Sequence, residues 1–295
     1  MTFAARFAAN LTPGPPVSLQ AVFPTSLPDA GLTAAELAAA VRAFHPDLAD
    51  AVVELVTVVE SPAVAELVSP AGPPLAWAAV VSWGRHVVKL AAFDAPMPYG
   101  PVASCVVPAL MPPEVKRDAA AHRSHVLFYH SGTEPDPVER YVALGCVGGV
   151  LGQFGATAIL NEDGRTACPA FDLIPGPGED VLATLRELPL TYLWVGFVRT
   201  SVGGPARPWI RTYNAHRFGL PDLAYQAAGL GEAGEVFGWF AAVLGYLHET
   251  NATIAAGQVV NFDAATELLV DAPPSPGGDL FDSDGELLVL RRAAA

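Results

Sequence analysis

The residues with the clearest chemical potential lie between Leu188 and Pro221, a stretch that holds no acidic residue and four arginines: Arg199, Arg207, Arg211 and Arg217. Read as a strand, Arg207 to Tyr213 sends Arg207, Trp209, Arg211 and Tyr213 to one face, because side chains alternate with period two. Two guanidiniums interleaved with two aromatic rings can hold an anion through charge-assisted hydrogen bonds while the rings orient the arginines. His216 and Arg217 follow at once. These six residues are the candidate binding residues. The competing reading is a sheet face on which arginine stems cover the rings, or arginines that pair with the chain's own carboxylates.

Other chemistry is less defined. His122, His125 and His130 form the densest histidine group, yet a strand from His125 to His130 sends those two to opposite faces, and no further ligands suggest themselves. Cys105, Cys146 and Cys168 are too widely spaced for a Cys-x-x-Cys pair, so neither a disulfide framework nor a thiolate zinc site is expected. The glycines at 145, 148, 149 and 152 lie inside a predicted helix rather than between a strand and a helix, which makes them a packing stripe and not a dinucleotide loop. Gly231, Gly238 and Gly245 are read the same way. No phosphate loop, nucleophile elbow or His-Glu-x-x-His occurs, since His248-Glu249 is followed by Thr250, Asn251 and Ala252. No cofactor and no metal is expected, and no catalytic residue is assigned.

The elements that must position these residues can be read along the chain. Val17 to Phe23 suits a strand, and Thr33 caps a helix running to Phe44, with Glu36 at the capping-box position. Val52 to Val59 is strand-like, and Trp77–Trp83 with His86–Phe93 makes a hairpin about Gly84-Arg85. The Pro-rich stretch from Ala95 to Pro113 is too punctuated for a long element, with Val102 to Val107 as a short strand. A helix starts at Glu114. His125 to His130 is a strand, Pro137 to Gly152 a helix, Ala156 to Leu160 a strand and Glu179 to Leu188 a helix. Leu190 to Thr200 pairs with Arg207 to Tyr213 about Gly203-Gly204-Pro205, and Pro208 marks the second strand as an edge. A helix from Glu232 to Glu249 and a strand from Gln258 to Phe262 follow. Asp271 to Gly278 has linker composition, and Leu280 to Leu290 reads as a small hairpin.

The class implied is α+β, in sheet-and-helix layers, and the order of elements is compatible with two ferredoxin-like halves packed together. The expected division is an N-terminal α+β half over 1–120, a C-terminal half over 121–270, and a Pro/Gly linker with an acidic hairpin over 271–295.

Composition narrows the function classes. Of 295 residues, 52% are hydrophobic, but the apolar runs are short and broken, so no spanning helix is expected. Met1 to Asn10 does not read as a signal peptide. With a net charge of −14, nucleic-acid binding is not expected, because it requires a positive surface to replace phosphate counterions. The chain reads as cytoplasmic.

Asp94-Ala95-Pro96-Met97-Pro98, Ser124 to Phe128, Leu193-Trp194-Val195-Gly196-Phe197, and Thr212-Tyr213 through Phe218 to Leu223, followed by an aromatic helix and Ala256-Gly257-Gln258, carry a likeness. Over roughly residues 90–262 the chain resembles a bacterial domain-of-unknown-function family, numbered four-two-six-one. It departs from that pattern by carrying Asn214-Ala215-His216-Arg217 where a plain Gly-rich turn is typical. The resemblance implies a compact cytosolic domain and brings no catalytic residues. Two functions remain open: a non-enzymatic interaction protein of immunity, adaptor or assembly type, whose partner is another protein, or a small-molecule-binding protein or enzyme that holds an anion on the arginine-aromatic face with a histidine as acid-base.

Overall fold

A computed structural model of the chain describes residues 2–11, 16–27, 32–57, 73–200, 207–262, 266–274, 281 and 284–293. These form two compact units, one comprising 1–162 with 167–188, the other 163–166 with 189–295. The division therefore falls near residue 188 and not near 120: the strand at Ser124–His130 and the helix after it belong to the first unit's sheet.

The first unit contains helices α1 (Phe3–Ala8), α2 (Ala34–Phe44), α3 (Tyr99–Val106), α4 (Pro113–Ala120), α5 (Pro137–Gln153) and α6 (Val181–Glu187). Its strands are β1 (Ser18–Phe23), β2 (Val52–Thr57), β3 (Leu75–Trp83), β4 (His86–Phe93), β5 (Ser124–His130), β6 (Ala158–Asn161) and β7 (Thr166–Pro169). They make one seven-stranded sheet in the order β2-β3-β4-β5-β1-β6-β7. The first strand is inserted between β5 and β6, antiparallel to both.

Local chemistry explains the helix starts. Thr33 and Glu36 form the expected reciprocal capping box of α2. Asp136 caps α5 through the amide of Val138, with Pro137 in the first turn, where a missing N–H costs nothing. The same logic corrects the reading of Val102–Val107 as a strand. Pro101 sits in the first turn of α3, so this stretch is helical despite its prolines.

Every residue of α5 from Tyr141 to Leu151 is buried. At Gly149 the helix packs tightly on its neighbours: a Cβ there would lie 2.4 Å from both the Leu173 carbonyl oxygen and the Phe44 ring. Gly148 faces Ile159, whereas Ala158 and Leu160 pack with Met97, Val102 and Cys105. Strand alternation thus places α5 and α3 on opposite faces of the sheet. Each Val or Leu buried in these layers contributes roughly 1.5 to 3 kcal/mol of transfer free energy.

The second unit contains α7 (Leu190–Leu193), α8 (Ala233–Thr250) and strands β8 (Gly196–Thr200), β9 (Trp209–Tyr213), β10 (Asp222–Gln226), β11 (Val259–Asn261), β12 (Glu267–Asp271) and β13 (Leu287–Arg292). The six-stranded order is β11-β12-β13-β10-β9-β8, mixed because β10 and β13 run parallel. The α8 helix buries Val236, Trp239, Phe240, Val243, Leu244 and Leu247, a stripe at helical spacing. Trp239 meets Tyr225 edge-on at 5.4 Å, and Phe240 meets Phe197 at 5.9 Å.

The α+β class is as the sequence implies, although sheets of seven and six strands exceed the four of a ferredoxin-like half. Four expectations need correction in the second unit. Leu190 to Thr200 is not one strand: a helical turn follows Pro189, and the strand begins at Gly196, where a Cβ would fall 1.4 Å from the Gly164 carbonyl oxygen. Strand β9 is interior, with β8 at the edge, since Pro208 lies just before the ladder and its carbonyl accepts from Ala227 N–H. Leu287–Arg292 is no isolated hairpin arm but joins the main sheet between β10 and β12. Gly231, Gly238 and Gly245 are not packing positions, because a Cβ at each would meet open space. The turn at Gly203-Gly204-Pro205, residues 275–278 of the linker, and Leu280, Asp282 and Ser283 of the expected hairpin lie outside the described residues.

Candidate functional site

Strand alternation brings Trp209, Arg211 and Tyr213 to one face, but that face is covered. Arg211 has no exposed surface; its Nε donates to the Thr212 carbonyl at 3.0 Å and its Nη2 stands 3.8 Å from Asp222 Oδ2. Asp222 Oδ1 in turn accepts from Thr212 Oγ1 and from Ala215 N–H, each at 3.1 Å. Trp209 is half-buried against Phe281, edge-on at 4.9 Å. Arg211 and Trp209 therefore cannot meet an external anion as the sequence suggested. Ala224 faces Arg211 across the ladder and packs with Leu287 and Val289, an apolar environment in which an arginine persists only with a carboxylate beside it. Arg207 is exposed.

Tyr213 organises what reaches the surface. The Arg211 guanidinium lies 3.9 Å from its ring centroid and the Arg165 guanidinium 4.0 Å, while Arg165 Nη1 donates to the Tyr213 hydroxyl at 3.0 Å. Both guanidiniums thus rest against the one ring. Arg165 is exposed, in the left-handed region at φ 49°, at the end of the Asn161-Glu162-Asp163-Gly164 turn. From that turn Asp163 reaches Arg217 at 3.0 Å. Asn214, at φ 81°, starts the helical turn Ala215–Phe218 that carries His216 and Arg217; its Nδ2 donates to the Trp194 carbonyl at 2.8 Å. Asparagine tolerates this backbone conformation better than most residues. Asn214-Ala215-His216-Arg217 is thus an ordered turn.

His216 borders an open depression of about 270 Å³ with Leu220, Pro221, Thr253, Ile254 and Glu286. Its backbone neighbour is Gly285, where a Cβ would lie 2.3 Å from His216 Cβ. The depression is smaller than a site that encloses a drug-sized molecule. Arg165 and Asp222 are the site residues that sequence reasoning missed. Arg165 is remote in sequence from the basic window, while Asp222 lies one residue beyond it.

His122, His125 and His130 of the first unit engage separate partners. His122 Nδ1 donates to the Ala119 carbonyl at 2.8 Å and its Nε2 accepts from Met97 N–H at 2.7 Å, so the neutral ring is saturated. His125 donates to the Ala95 carbonyl at 2.7 Å and stacks on Phe93. His130, on the opposite face, stands 3.3 Å from His86. Burial pushes the His130 imidazole down to about 4. Among the described residues no group of three His, Cys, Asp or Glu side chains is arranged to hold a metal ion. The three cysteines are buried, and burial pushes the Cys146 thiol up to about 12.

A second surface lies on the first unit. Tyr99, Val107 and Leu110 are 80%, 69% and 82% exposed. Tyr99 and Val107 are eight residues apart, about two turns along α3, and Ala103 lies between them on the same side. No charged residue occurs between Asp94 and Glu114.

Compared with protein-family models, with curated proteins and with solved structures, the chain matches none.

Proposed function

We propose that this chain is a non-enzymatic interaction protein, of immunity, adaptor or assembly type, that docks another protein through the ridge of α3 and the loop after it. The observation that carries the reading is the exposure of Tyr99, Val107 and Leu110 on an uncharged stretch of a chain whose net charge is −14. Contiguous exposed apolar side chains mark binding surfaces, and aromatic anchors supply most of the affinity at such surfaces. The complementary partner is apolar at its centre and basic at its rim, since charges of opposite sign steer association. An anionic membrane or nucleic acid would be repelled. Among the described residues no helix is long and apolar enough to cross a membrane. Buried thiols suit a reducing compartment, which supports a cytoplasmic location. Membership of the bacterial family numbered four-two-six-one is part of the proposal, on the segments quoted for it.

The test is photo-crosslinking in cells. A photoreactive amino acid at position 110 is expected to capture one discrete protein, with the adduct lost in the Tyr99→Ser, Val107→Ser double variant. The same group at Glu249 serves as the control. A self-adduct would identify the partner as a second copy of the chain; diffuse labelling equal to the control would sink the reading.

Arg165 favours a second reading, a small anionic ligand. Its exposed guanidinium is oriented by an aromatic ring and a hydroxyl, and among the described residues no carboxylate pairs with it.

A further inference from the structure

The sequence contains two lysines, Lys89 and Lys116, against fourteen arginines. Lys89 is 1% exposed, in the middle of β4, between Val80 of β3 and Tyr129 of β5. Its Nζ lies 5.9 Å from the Phe7 ring centroid and 5.7 Å from that of Tyr129, and it donates to the carbonyl oxygen of Ala9 at the end of α1. Around it Phe7, Leu75, Ala78, Val80, Ala91 and Phe93 form an apolar cluster. Among the described residues no carboxylate pairs with it, although a buried ammonium is ordinarily paired.

We propose that Lys89 is a covalent binding site, an amine nucleophile that takes a small apolar aldehyde or ketone as a Schiff base beneath α1. The site has the parts this chemistry needs. A desolvated amine in an apolar pocket is the usual form of an activated lysine nucleophile. Burial pushes the ammonium down to about 8, so about a tenth is free amine at a pH of about 7 and about half at a pH of about 8. The charged groups nearby do not hold the proton on: Arg6 of α1 is engaged with Glu54 of β2, and the Tyr129 hydroxyl, pushed up to about 12 by burial, stays neutral. The aromatic walls suit an apolar ligand.

The step balances without a further reagent. The Nζ lone pair attacks the carbonyl carbon, and a proton moves from nitrogen to the former carbonyl oxygen, giving a carbinolamine. Loss of one water then forms the C=N bond. Entry requires α1 to lift. This helix has six residues and buries one side chain, Phe7, so its local opening is cheap compared with global unfolding.

The test uses the full chain with benzaldehyde and sodium cyanoborohydride, followed by digestion and mass measurement of the peptides carrying Lys89 and Lys116. At a pH of about 8, Lys89 is expected to be alkylated several-fold faster than Lys116, and its rate to fall towards tenfold for each unit of pH below that. Phe7→Ala loosens the cover while keeping the amine itself, and is expected to raise the Lys89 rate and leave the Lys116 rate unchanged. The proposal is overturned if Lys89 in the wild-type chain reacts no faster than Lys116. It is equally overturned if Lys89 reacts only in Phe7→Ala or after denaturation, because the lysine would then be a sealed clasp for α1. Should Phe7→Ala fail to fold, the wild-type comparison decides alone.

Discussion

Arg211 and Asp222 face each other inside the second unit, 3.8 Å apart, with side chains 0% and 2% exposed. Removing one partner leaves the other charge buried and unmatched, which costs about 3 to 5 kcal/mol. Asp222→Ala also strips acceptors from Ala215 N–H and Thr212 Oγ1. The expected outcome in urea unfolding is a loss of that size for Asp222→Ala and for Arg211→Ala. A loss below about 1 kcal/mol for either would show that the pair is solvated in solution.

The His86–His130 contact links stability to pH. Burial holds His130 near 4, whereas in the unfolded chain it titrates near 6.5. The unfolded state therefore binds more protons between those values. The stabilisation is complete above a pH of about 6.5 and is lost as pH falls towards about 4. His86 and Arg140 add to burial in disfavouring the charged form of His130, and burial holds the His86 imidazole below its usual value against the opposing pull of Glu134 and Glu139. Measured by denaturant midpoints at neutral and acid pH, wild type is expected to lose roughly 2 kcal/mol more than His130→Gln. Equal losses would remove His130 from the account.

Two glycines in long helices are expected to respond in opposite directions to alanine. At Gly149 the new methyl group would meet a carbonyl oxygen and a ring at 2.4 Å, so Gly149→Ala should cost about 1 to 3 kcal/mol or more through overpacking. At Gly238 on α8 the Cβ meets nothing within 4 Å, and Gly238→Ala should stabilise by roughly 0.5 to 1 kcal/mol. Thermal melts of the two variants check both signs.

That contrast also shows what the sequence could reveal. Helical spacing of small residues identified a stripe on α5 that does pack closely, yet the same reasoning failed at Gly231, Gly238 and Gly245, because spacing cannot tell a contacted stripe from a solvent-facing one. Alternation correctly gathered Trp209, Arg211 and Tyr213 on one face, but what covers that face, Phe281 against Trp209 and Arg165 against Tyr213, comes from residues far away in the sequence. The cap of α2 was legible since it involves residues three apart. Arg165 was not, since its partner is 48 positions away.

If the second unit binds an anion, Arg165 carries it and Arg211 does not. An exposed arginine contact is worth about 0 to 1 kcal/mol, while a charge-assisted bond in a sheltered position reaches roughly 1.5 to 3. Arg165 lies between these limits, as its guanidinium is exposed but fixed on the Tyr213 ring and hydroxyl. Titration with inorganic phosphate, followed by chemical shifts of the arginine side chains, should show Arg165 and Arg217 moving together. Arg165→Gln is expected to weaken binding by about tenfold while leaving the unfolding midpoint nearly unchanged, and added salt should weaken the wild-type affinity. Arg211→Ala, by contrast, should lower the midpoint as a buried ion pair demands. Phosphate shifts that persist at full strength in Arg165→Gln would place the anion elsewhere and end this reading of the site.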